Sequence, residues 1–280
     1  MPPKILRTLD ALRRETATWA NQGLSSAIVP TMGALHEGHL QLVRQGFEKA
    51  DRLVTTIFVN PKQFAANEDL ARYPRTEESD LALLTAEGVN SIFAPTSEEI
   101  YALGFATTVH VEGQAKAGLE DKYRPQFFDG VATIVAKLLI TASADFAMFG
   151  QKDYQQLQVV TRMAADLGIV TKIIGVATER EADGLALSSR NRFLSKSERH
   201  HASAIYKNLA QAAEKIRAGI KPQTATRAAA RSLTTLGFKV DYVAVRNAVS
   251  LALPQNPNEP LRLLAAAWLG KIRLIDNIAV

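Results

Sequence analysis

The sequence lacks cysteine altogether, which excludes disulfide bonds and zinc sites built on thiolates. No apolar run approaches the ~18 residues that a membrane-spanning helix needs. The stretch at 1–23 has the spacing of an amphipathic helix, without the apolar segment and cleavage site of a signal peptide. We therefore expect a cytoplasmic protein that does not associate with membranes.

The net charge is also small, at +5. The 33 basic residues barely exceed the 28 acidic ones, and the two signs are mixed along the chain. Aromatic residues make up 7% of the sequence, and no stretch interleaves them with basic residues. We therefore predict no nucleic-acid partner. The small basic excess fits either an ordinary surface or a pocket for an anionic small molecule.

Apolar strand patterns alternate with helical patterns over the first 180 residues. We predict strands at 24–30, 52–60, 91–95, 107–112, 145–150 and 172–178. Helices are predicted at 39–50, 76–89, 129–143 and 153–168, and the second of these has acidic residues in its first turn, where the helix dipole favours them. The alternation predicts an α/β fold with a Rossmann-like, doubly wound parallel sheet in a domain of residues 1–180.

The pattern changes after residue 180. Helices are predicted at 195–219, with a capping box formed by Ser195 and Glu198, and at 221–237. Strands are predicted at 238–247, 261–269 and 272–277. We assign residues 181–280 to a smaller α+β domain. The joining segment 181–194 is too rich in specific polar residues for a simple connector.

Three polar motifs follow predicted strands of the parallel sheet. They are PTMGALHEGHL at 30–40, NPKQF at 60–64 and GQKDYQQ at 150–156. Ligands of open parallel sheets bind outside the carboxyl ends of the strands. We therefore expect the three motifs to meet at one edge of the sheet and to form a binding site there.

His36 and His39 flank Gly38 at a strand-to-helix junction. The pair could be an ordinary surface or core pair, and a metal site would need further ligands that the neighbouring sequence does not offer. A phosphate site is the alternative. Gly38 would let a ligand approach the backbone, and the start of the helix would present free N–H groups.

Lys152 is a positive charge at the start of another helix, which suits phosphate. Asp153 could cap that helix or accept ribose hydroxyls, and Gln156 lies one turn later. Asn60 could simply start a turn before Pro61. The segment ALSSRN at 186–191 could be a turn with a helix cap, or a loop that closes over a triphosphate.

The chain resembles the pantoate–β-alanine ligase family of the HxGH nucleotidylyltransferase superfamily. The similarity lies in PTMGALHEGH, FVNPKQF, ARYPRT, FGQKDYQQL, DGLALSSRN and AAWLGKIRLIDN, which occur in the family's order between residues 30 and 277. HxGH alone is a weak signal, whereas the six blocks together are specific.

The resemblance implies an ATP-dependent condensation of pantoate with β-alanine through a pantoyl adenylate, with release of AMP and pyrophosphate. It implies catalytic roles for His36, His39, Lys152 and Arg190, with pantoate and β-alanine held near Gln63 and Gln156. Mg²⁺ would bind to the ATP phosphates rather than in a protein site. A homodimer is implied, as is a covering role for the C-terminal domain. The implied ATP site comprises Met32, Gly33, Ala34, Leu35, His36, Glu37, Gly38, His39, Gly150, Gln151, Lys152, Asp153, Glu179, Leu187, Ser188, Ser189 and Arg190.

The chain departs from the family pattern at several positions around this site. Gln126 and Phe127 stand where glycine and histidine are usual, Gln151 replaces a glutamate, and Glu179 and Lys62 replace apolar residues. We expect an active enzyme with altered kinetics. Two alternatives stay open, a nucleotidylyltransferase with a phosphorylated acceptor and a nucleotide-binding paralogue without turnover.

Overall fold

The computed structural model describes residues 2–64, 70–256 and 258–280. Its first part contains a parallel sheet in the order β1-β4-β3-β2-β5-β6. The predicted fold class is confirmed. The strands are β1 (Lys4–Leu6), β2 (Ser26–Val29), β3 (Arg52–Thr56), β4 (Ser91–Phe93), β5 (Phe146–Gly150) and β6 (Lys172–Val176).

Helices cover both faces of this sheet. They are α1 (Leu9–Asn21), α2 (Glu37–Phe47), α3 (Glu77–Ala86), α4 (Ser97–Ile100), α5 (Glu120–Tyr123), α6 (Phe127–Ala142) and α7 (Tyr154–Asp166). Short 3-10 turns lie at Pro61–Gln63, Leu70–Arg72, Gly113–Lys116 and Gln151–Asp153.

The apolar side chains of β2 show why helices are needed on both faces. Ala27 and Val29 pack into a cluster that includes residues of α2 and α3, whereas Ile28 packs into a second cluster with α1 and α6. Successive side chains of a strand point to opposite faces, so a strand that is apolar at every position must be covered twice.

The C-terminal part forms a separate antiparallel sheet in the order β7-β8-β9. Leu209, Leu233 and Leu263 belong to a hydrophobic cluster of residues 185–280. The division into domains at residue 180 stays a prediction. The elements are α8 (Lys196–Ala202), α9 (Ala204–Arg217), α10 (Pro222–Thr235), β7 (Lys239–Asn247), β8 (Leu261–Leu269) and β9 (Ile272–Ala279).

The strand predicted at 107–112 is wrong, because this segment has no regular structure. Its alternating valines pack on a helix instead. Val111 and Val109 contact the cluster around α6, and the Val109 N–H donates to Thr133 Oγ1 at 2.9 Å. A period of two therefore marks a half-buried extended segment, whether or not another strand pairs with it.

Two helix predictions also need correction. The amphipathic stretch 1–23 includes a short strand, β1, and its helix begins only at Leu9, after Thr8 caps it by accepting from the Ala11 N–H. The helix predicted at 195–219 is divided at Ser203 into α8 and α9. The capping box of Ser195 and Glu198 is confirmed.

Helix α6 lies directly against the turn Pro61–Gln63, and Gly130 makes that approach possible. A Cβ atom at this position would lie 2.3 Å from the Lys62 carbonyl oxygen. The Gly130 carbonyl also accepts a hydrogen bond from Asn60 Nδ2 at 3.1 Å. The glycine thus sets the distance between α6 and a turn that contributes to the site.

The substitution Gly130→Ala tests this contact, because the contact and helix propensity predict changes of opposite sign in the free energy of unfolding. Helix propensity alone would make the change stabilising by ~1 kcal/mol. We expect instead a loss of about 1–3 kcal/mol in the free energy of unfolding, because the methyl group forces the backbones apart. Urea denaturation measures it, and an unchanged or raised free energy of unfolding would contradict the contact.

Candidate active site

The carboxyl ends of β2 and β5 lie side by side where the strand order reverses. From β2 the sheet continues through β3 and β4 on one side, whereas β5 pairs with the other side of β2 and leads to β6. Ligands of open parallel sheets bind in the crevice at such a point. A cavity of about 220 Å³ opens there.

Fourteen of the nineteen residues that the resemblance implied line this cavity. Gly33, Ala34, Leu35, Glu37 and Gln151 do not line it. Glu37, for example, forms a surface ion pair with Arg44. The fourteen are Met32, His36, Gly38, His39, Gln63, Gly150, Lys152, Asp153, Gln156, Glu179, Leu187, Ser188, Ser189 and Arg190.

One buried carboxylate holds the loop after β2. Asp80 of α3 is 1% exposed and accepts hydrogen bonds from the backbone N–H groups of Ala34 and Leu35, both at 2.9 Å. The Thr76 hydroxyl donates to the same carboxylate at 3.1 Å. Ala34 has a φ of 52°, which a residue with a Cβ adopts only with support from its surroundings. Asp80 thereby fixes the backbone that leads to His36.

The two histidine rings lie against each other at the start of α2, with their centroids 4.0 Å apart and their planes tilted by 40°. His39 Nδ1 accepts from the His36 backbone N–H at 3.3 Å, so the proton of a neutral His39 ring lies on Nε2. His36 Nδ1 is buried and has no hydrogen-bond partner among the described residues. A Cβ on Gly38 would lie 3.1 Å from this ring, so glycine leaves room for it.

Both histidines are uncharged at neutral pH. Burial and then Lys152 lower the pKa of His36 to about 4. Burial and then His36 lower the pKa of His39 to about 3. The pair therefore offers hydrogen-bond donors and lone pairs, whereas the positive charge of the site comes from other side chains.

A polar corner of the cavity is built around Asn60, which is 1% exposed. Asn60 Nδ2 donates to Gln63 Oε1 at 3.0 Å, and Asn60 Oδ1 accepts from the Tyr101 hydroxyl at 2.7 Å. Gln63 Nε2 in turn lies 2.8 Å from Met32 Sδ. The amide of Gln63 is thus held at both ends. The neighbouring wall is apolar, with Phe58, Val131, Ile134, Val135, Leu138 and Phe149.

Lys152 and Asp153 lie in the 3-10 turn that follows β5. Lys152 Nζ lies 3.5 Å from Asp153 Oδ2. Asp153 occupies the position before α7, but its side chain makes no capping hydrogen bond, so the interpretation as a helix cap is wrong. Both side chains line the cavity instead.

The segment from Glu179 onward turns back on itself and brings a second cation to the cavity. The Leu187 N–H donates to the Glu179 carbonyl at 2.9 Å, and Ser188 Oγ accepts from the Arg190 N–H at 3.3 Å. The Arg190 guanidinium has no hydrogen bond or ion pair with any residue in the described ranges. It is therefore available to an anionic ligand.

A second cavity of about 440 Å³ is lined by residues of α5, α6 and α7 and by residues of the C-terminal sheet. It shares Lys152, Asp153, Gln156, Ser188 and Arg190 with the first one. The cavity at the reversal of strand order thus continues into the second cavity, between the two parts of the chain.

A buried ionic network lines this second cavity. Arg273 of β9 binds Glu120 of α5 with both terminal nitrogens, at 2.6 and 2.9 Å, and binds Asp241 through Nε at 2.8 Å. Tyr242 donates to Glu120 at 2.8 Å, and Trp268 Nε1 donates to Asp241 at 3.2 Å. The network joins the C-terminal sheet to the first part of the chain.

No group of three or more His, Asp or Glu side chains converges on a metal site in the ranges that the structure covers. In the same ranges, none of the helices has both the length and the apolar character to cross a membrane.

The sequence did not indicate the roles of two residues of this site, Asp80 and Asn277. Asp80 belongs to a group of acidic residues at the start of a helix, which predicts only a dipole effect. Asn277 lies in a predicted strand, yet its amide donates to the carbonyl oxygens of Gln151 and Lys152, both at 2.9 Å. Both residues act through the backbone of other segments, and no local pattern reveals such contacts.

Comparison with known proteins identifies the family. A family model for pantoate–β-alanine ligase matches residues 4–279. The chain belongs to the pantoate–β-alanine ligase family. A pantothenate synthetase from Rhodopseudomonas palustris (strain BisB18) is 50% identical over 279 residues, 99% of each chain. One from Paramagnetospirillum magneticum is 52% identical over 277 residues, 99% of this chain and 97% of the relative.

Solved structures of this family agree with the fold. Pantothenate synthetase from Thermus thermophilus has a TM-score of 0.90 at 41% identity, with 98% of each chain covered. The ligase from Francisella tularensis, complexed with βγ-ATP and β-alanine, has a TM-score of 0.82 at 31% identity, with 99% of this chain and 97% of that one covered. This chain is therefore an enzyme of the ligase class.

The anchoring role of Asp80 can be tested by Asp80→Ala. The change leaves two backbone N–H groups buried without an acceptor, so we expect a loss of about 1–3 kcal/mol in the free energy of unfolding. Weaker ATP binding should accompany it, because the loop before His36 is released. Glu78→Ala, an exposed acid on the same helix, should change stability by less than about 0.5 kcal/mol. Equal effects of the two variants would disprove the anchor.

The neutral histidines predict a dependence of stability on pH. Their folded pKa values lie below the ordinary value of 6.5, so the unfolded chain takes up protons first as the pH falls. The stability they contribute is fully present above about pH 6.5 and is lost as the pH falls towards 4 and then 3. We expect His39→Asn, which keeps an acceptor for the His36 N–H, to lose less stability than wild type between about pH 7 and pH 5.

Thermal denaturation at the two pH values measures this difference. His201→Asn serves as the control, because His201 is exposed on α8. An identical pH dependence in wild type and His39→Asn would refute the assignment of a depressed pKa to His39.

Proposed function

We propose that this enzyme condenses pantoate with β-alanine in an ATP-dependent reaction through a pantoyl-adenylate intermediate. AMP and pyrophosphate are the other products. The observation that supports this best is the convergence of Lys152, Arg190 and the two neutral histidines beside an apolar chamber with amide groups. One part suits a polyphosphate, and the other suits a small branched acid.

In the first step, a pantoate carboxylate oxygen attacks the α-phosphorus of ATP, and the bond to the pyrophosphate oxygen breaks. The nucleophile belongs to the substrate, so the protein has to align two anions and stabilise the developing charge. Lys152 and Arg190 are suited to neutralise the phosphates, and Mg²⁺ bound to them would share that charge. His39 Nε2–H is suited to donate a hydrogen bond to a phosphate oxygen.

The chamber next to this site fits the carbon skeleton of pantoate. Its two geminal methyl groups would pack on the apolar wall of Val131, Ile134 and Leu138. The amides of Gln63 and Gln156 would bind its hydroxyl and carboxylate groups. Gln63 presents a neutral amide to this chamber, which suits a hydroxyl or carboxylate group of the acceptor. The Arg124 guanidinium also borders the cavity, where it donates to the Gln63 carbonyl at 3.2 Å.

In the second step, the neutral amine of β-alanine attacks the acyl carbon, AMP leaves with the electron pair of the broken C–O bond, and the nitrogen releases one proton as the amide forms. Water would compete at this carbon, so the intermediate must be covered. We assign this covering role to residues 181–280, because Ser188 and Arg190 border the cavity and the C-terminal sheet lines the space behind them.

The departures from the family pattern do not remove the groups used in these steps. Phe127 stacks on the Arg124 guanidinium at 3.7 Å, and Lys62 lies over the Tyr101 ring at 5.0 Å. Gln151 does not line the 220 Å³ cavity. We therefore favour an active ligase with altered kinetics over a paralogue that only binds nucleotide. The homodimer and the cytoplasmic location stay predictions.

Incubation with ATP, Mg²⁺ and pantoate, with and without β-alanine, tests the reaction. We expect pantothenate and AMP to accumulate together when β-alanine is present, and radiolabelled pyrophosphate to exchange into ATP when it is absent. Binding of ATP without any product or exchange would favour the inactive paralogue.

Lys152→Ala tests the site within the same assay. Loss of a charged donor to the reacting phosphates should cost at least ~2 kcal/mol of transition-state stabilisation, about 30-fold in rate. Glu37→Ala is the control, because Glu37 lies outside the cavity. Near-normal turnover by a folded Lys152→Ala protein would remove Lys152 from the mechanism.

A further inference from the structure

Asn277 connects the C-terminal sheet to the turn that bears Lys152. It lies on β9 and is 3% exposed. Its Nδ2 atom donates to the carbonyl oxygens of Gln151 and Lys152, each at 2.9 Å. One buried amide thus uses both of its N–H groups on two successive peptide groups of another part of the chain.

The orientation of the Asn277 amide is itself fixed. Asn277 Oδ1 accepts from Arg262 Nε at 2.7 Å, and the Arg262 guanidinium stacks on the Tyr154 ring at 4.2 Å. Tyr154 is the first residue of α7, directly after the turn. With its oxygen bound to Arg262, the amide can only present its nitrogen to the turn.

The preceding residue, Asp276, contacts the segment that brings Ser188 and Arg190 to the cavity. It is 2% exposed and binds both terminal nitrogens of Arg180, at 2.7 and 2.8 Å. Arg180 follows Glu179 and begins the hairpin that leads to Ser188 and Arg190. Neighbouring residues of one strand thus contact both segments that bring a cation to the cavity.

We infer that Asn277 is a positioning residue for Lys152, acting through the carbonyl groups of the Gln151–Asp153 turn. This inference rests on the proposed function, in which Lys152 binds the reacting phosphates. A turn of three residues has little rigidity of its own, and the Lys152 side chain starts from a backbone held by these two hydrogen bonds. A displacement of about 1 Å at a reacting group costs up to about 100-fold in rate.

Asn277→Asp and Asn277→Ser test the inference. Aspartate keeps the shape of the side chain but places a carboxylate oxygen where the amide nitrogen was, and this oxygen repels both carbonyl groups. Serine is too short to donate to the two carbonyl groups. We expect kcat for pantoyl-adenylate formation to fall about 10- to 100-fold in both, with a smaller change in KM for pantoate. Asn208→Asp is the matched control, since Asn208 is buried on α9 and its amide donates to the Ala204 carbonyl of the same helix.

The melting temperature of each variant, measured by thermal denaturation, shows whether it is folded under the conditions of the rate measurement. If Asn208→Asp lowers both melting temperature and kcat as much as Asn277→Asp does, the effect is general destabilisation and the inference is overturned. A normal kcat in folded Asn277→Asp and Asn277→Ser also overturns it.

A double-mutant cycle with Lys152→Ala separates positioning from a merely structural role. If Asn277 acts through Lys152, Asn277→Asp should change the rate of Lys152→Ala by less than about threefold. Effects that multiply would overturn the inference while leaving Lys152 in the mechanism. A fully active Lys152→Ala protein would instead overturn the proposed role of Lys152, so the two failures are distinguishable.

Discussion

The site depends on the reversal of strand order between β2 and β5. Parallel strands end at a common edge, but only at the reversal do two neighbouring connections leave in opposite directions and open a crevice. His36 and His39 arrive from one side of that crevice, and Lys152 arrives from the other. The charge arrangement follows from this geometry. Imidazoles that enter from the start of a helix are buried and neutral, whereas the lysine and Arg190 supply positive charge.

Loops at such an edge are not rigid by themselves, and in this chain buried polar side chains from distant segments hold them. Asp80 accepts from two consecutive amides after β2, and Asn277 donates to two consecutive carbonyls after β5. The first side chain is an acceptor for backbone N–H groups, and the second is a donor to backbone carbonyl groups. Each satisfies backbone groups that a helix or sheet would otherwise satisfy, and each makes the site depend on a residue that does not line the 220 Å³ cavity.

Local periodicity was sufficient to predict the parallel sheet, because β2, β3 and β5 are buried on both faces and flanked by helical patterns. It failed at 107–112, where alternation arose from packing on a helix. The meeting of the three polar motifs at one edge of the sheet was predictable, since each follows a strand of the parallel sheet. The roles of their residues stay predictions. Asp80 and Asn277 were not, because their meaning depends on which segment the fold brings opposite to them.

The ionic network of Glu120, Arg273 and Asp241 restricts how this enzyme can admit and release its ligands. Separation of the two parts of the chain at that corner would break the ion pair of Arg273 with Glu120 and the hydrogen bond from Tyr242 to Glu120. These contacts favour a closed arrangement at that corner. Ser188 and Arg190 line both cavities, so the cation proposed to neutralise the phosphates lies where the two spaces meet and would face whatever passes between them.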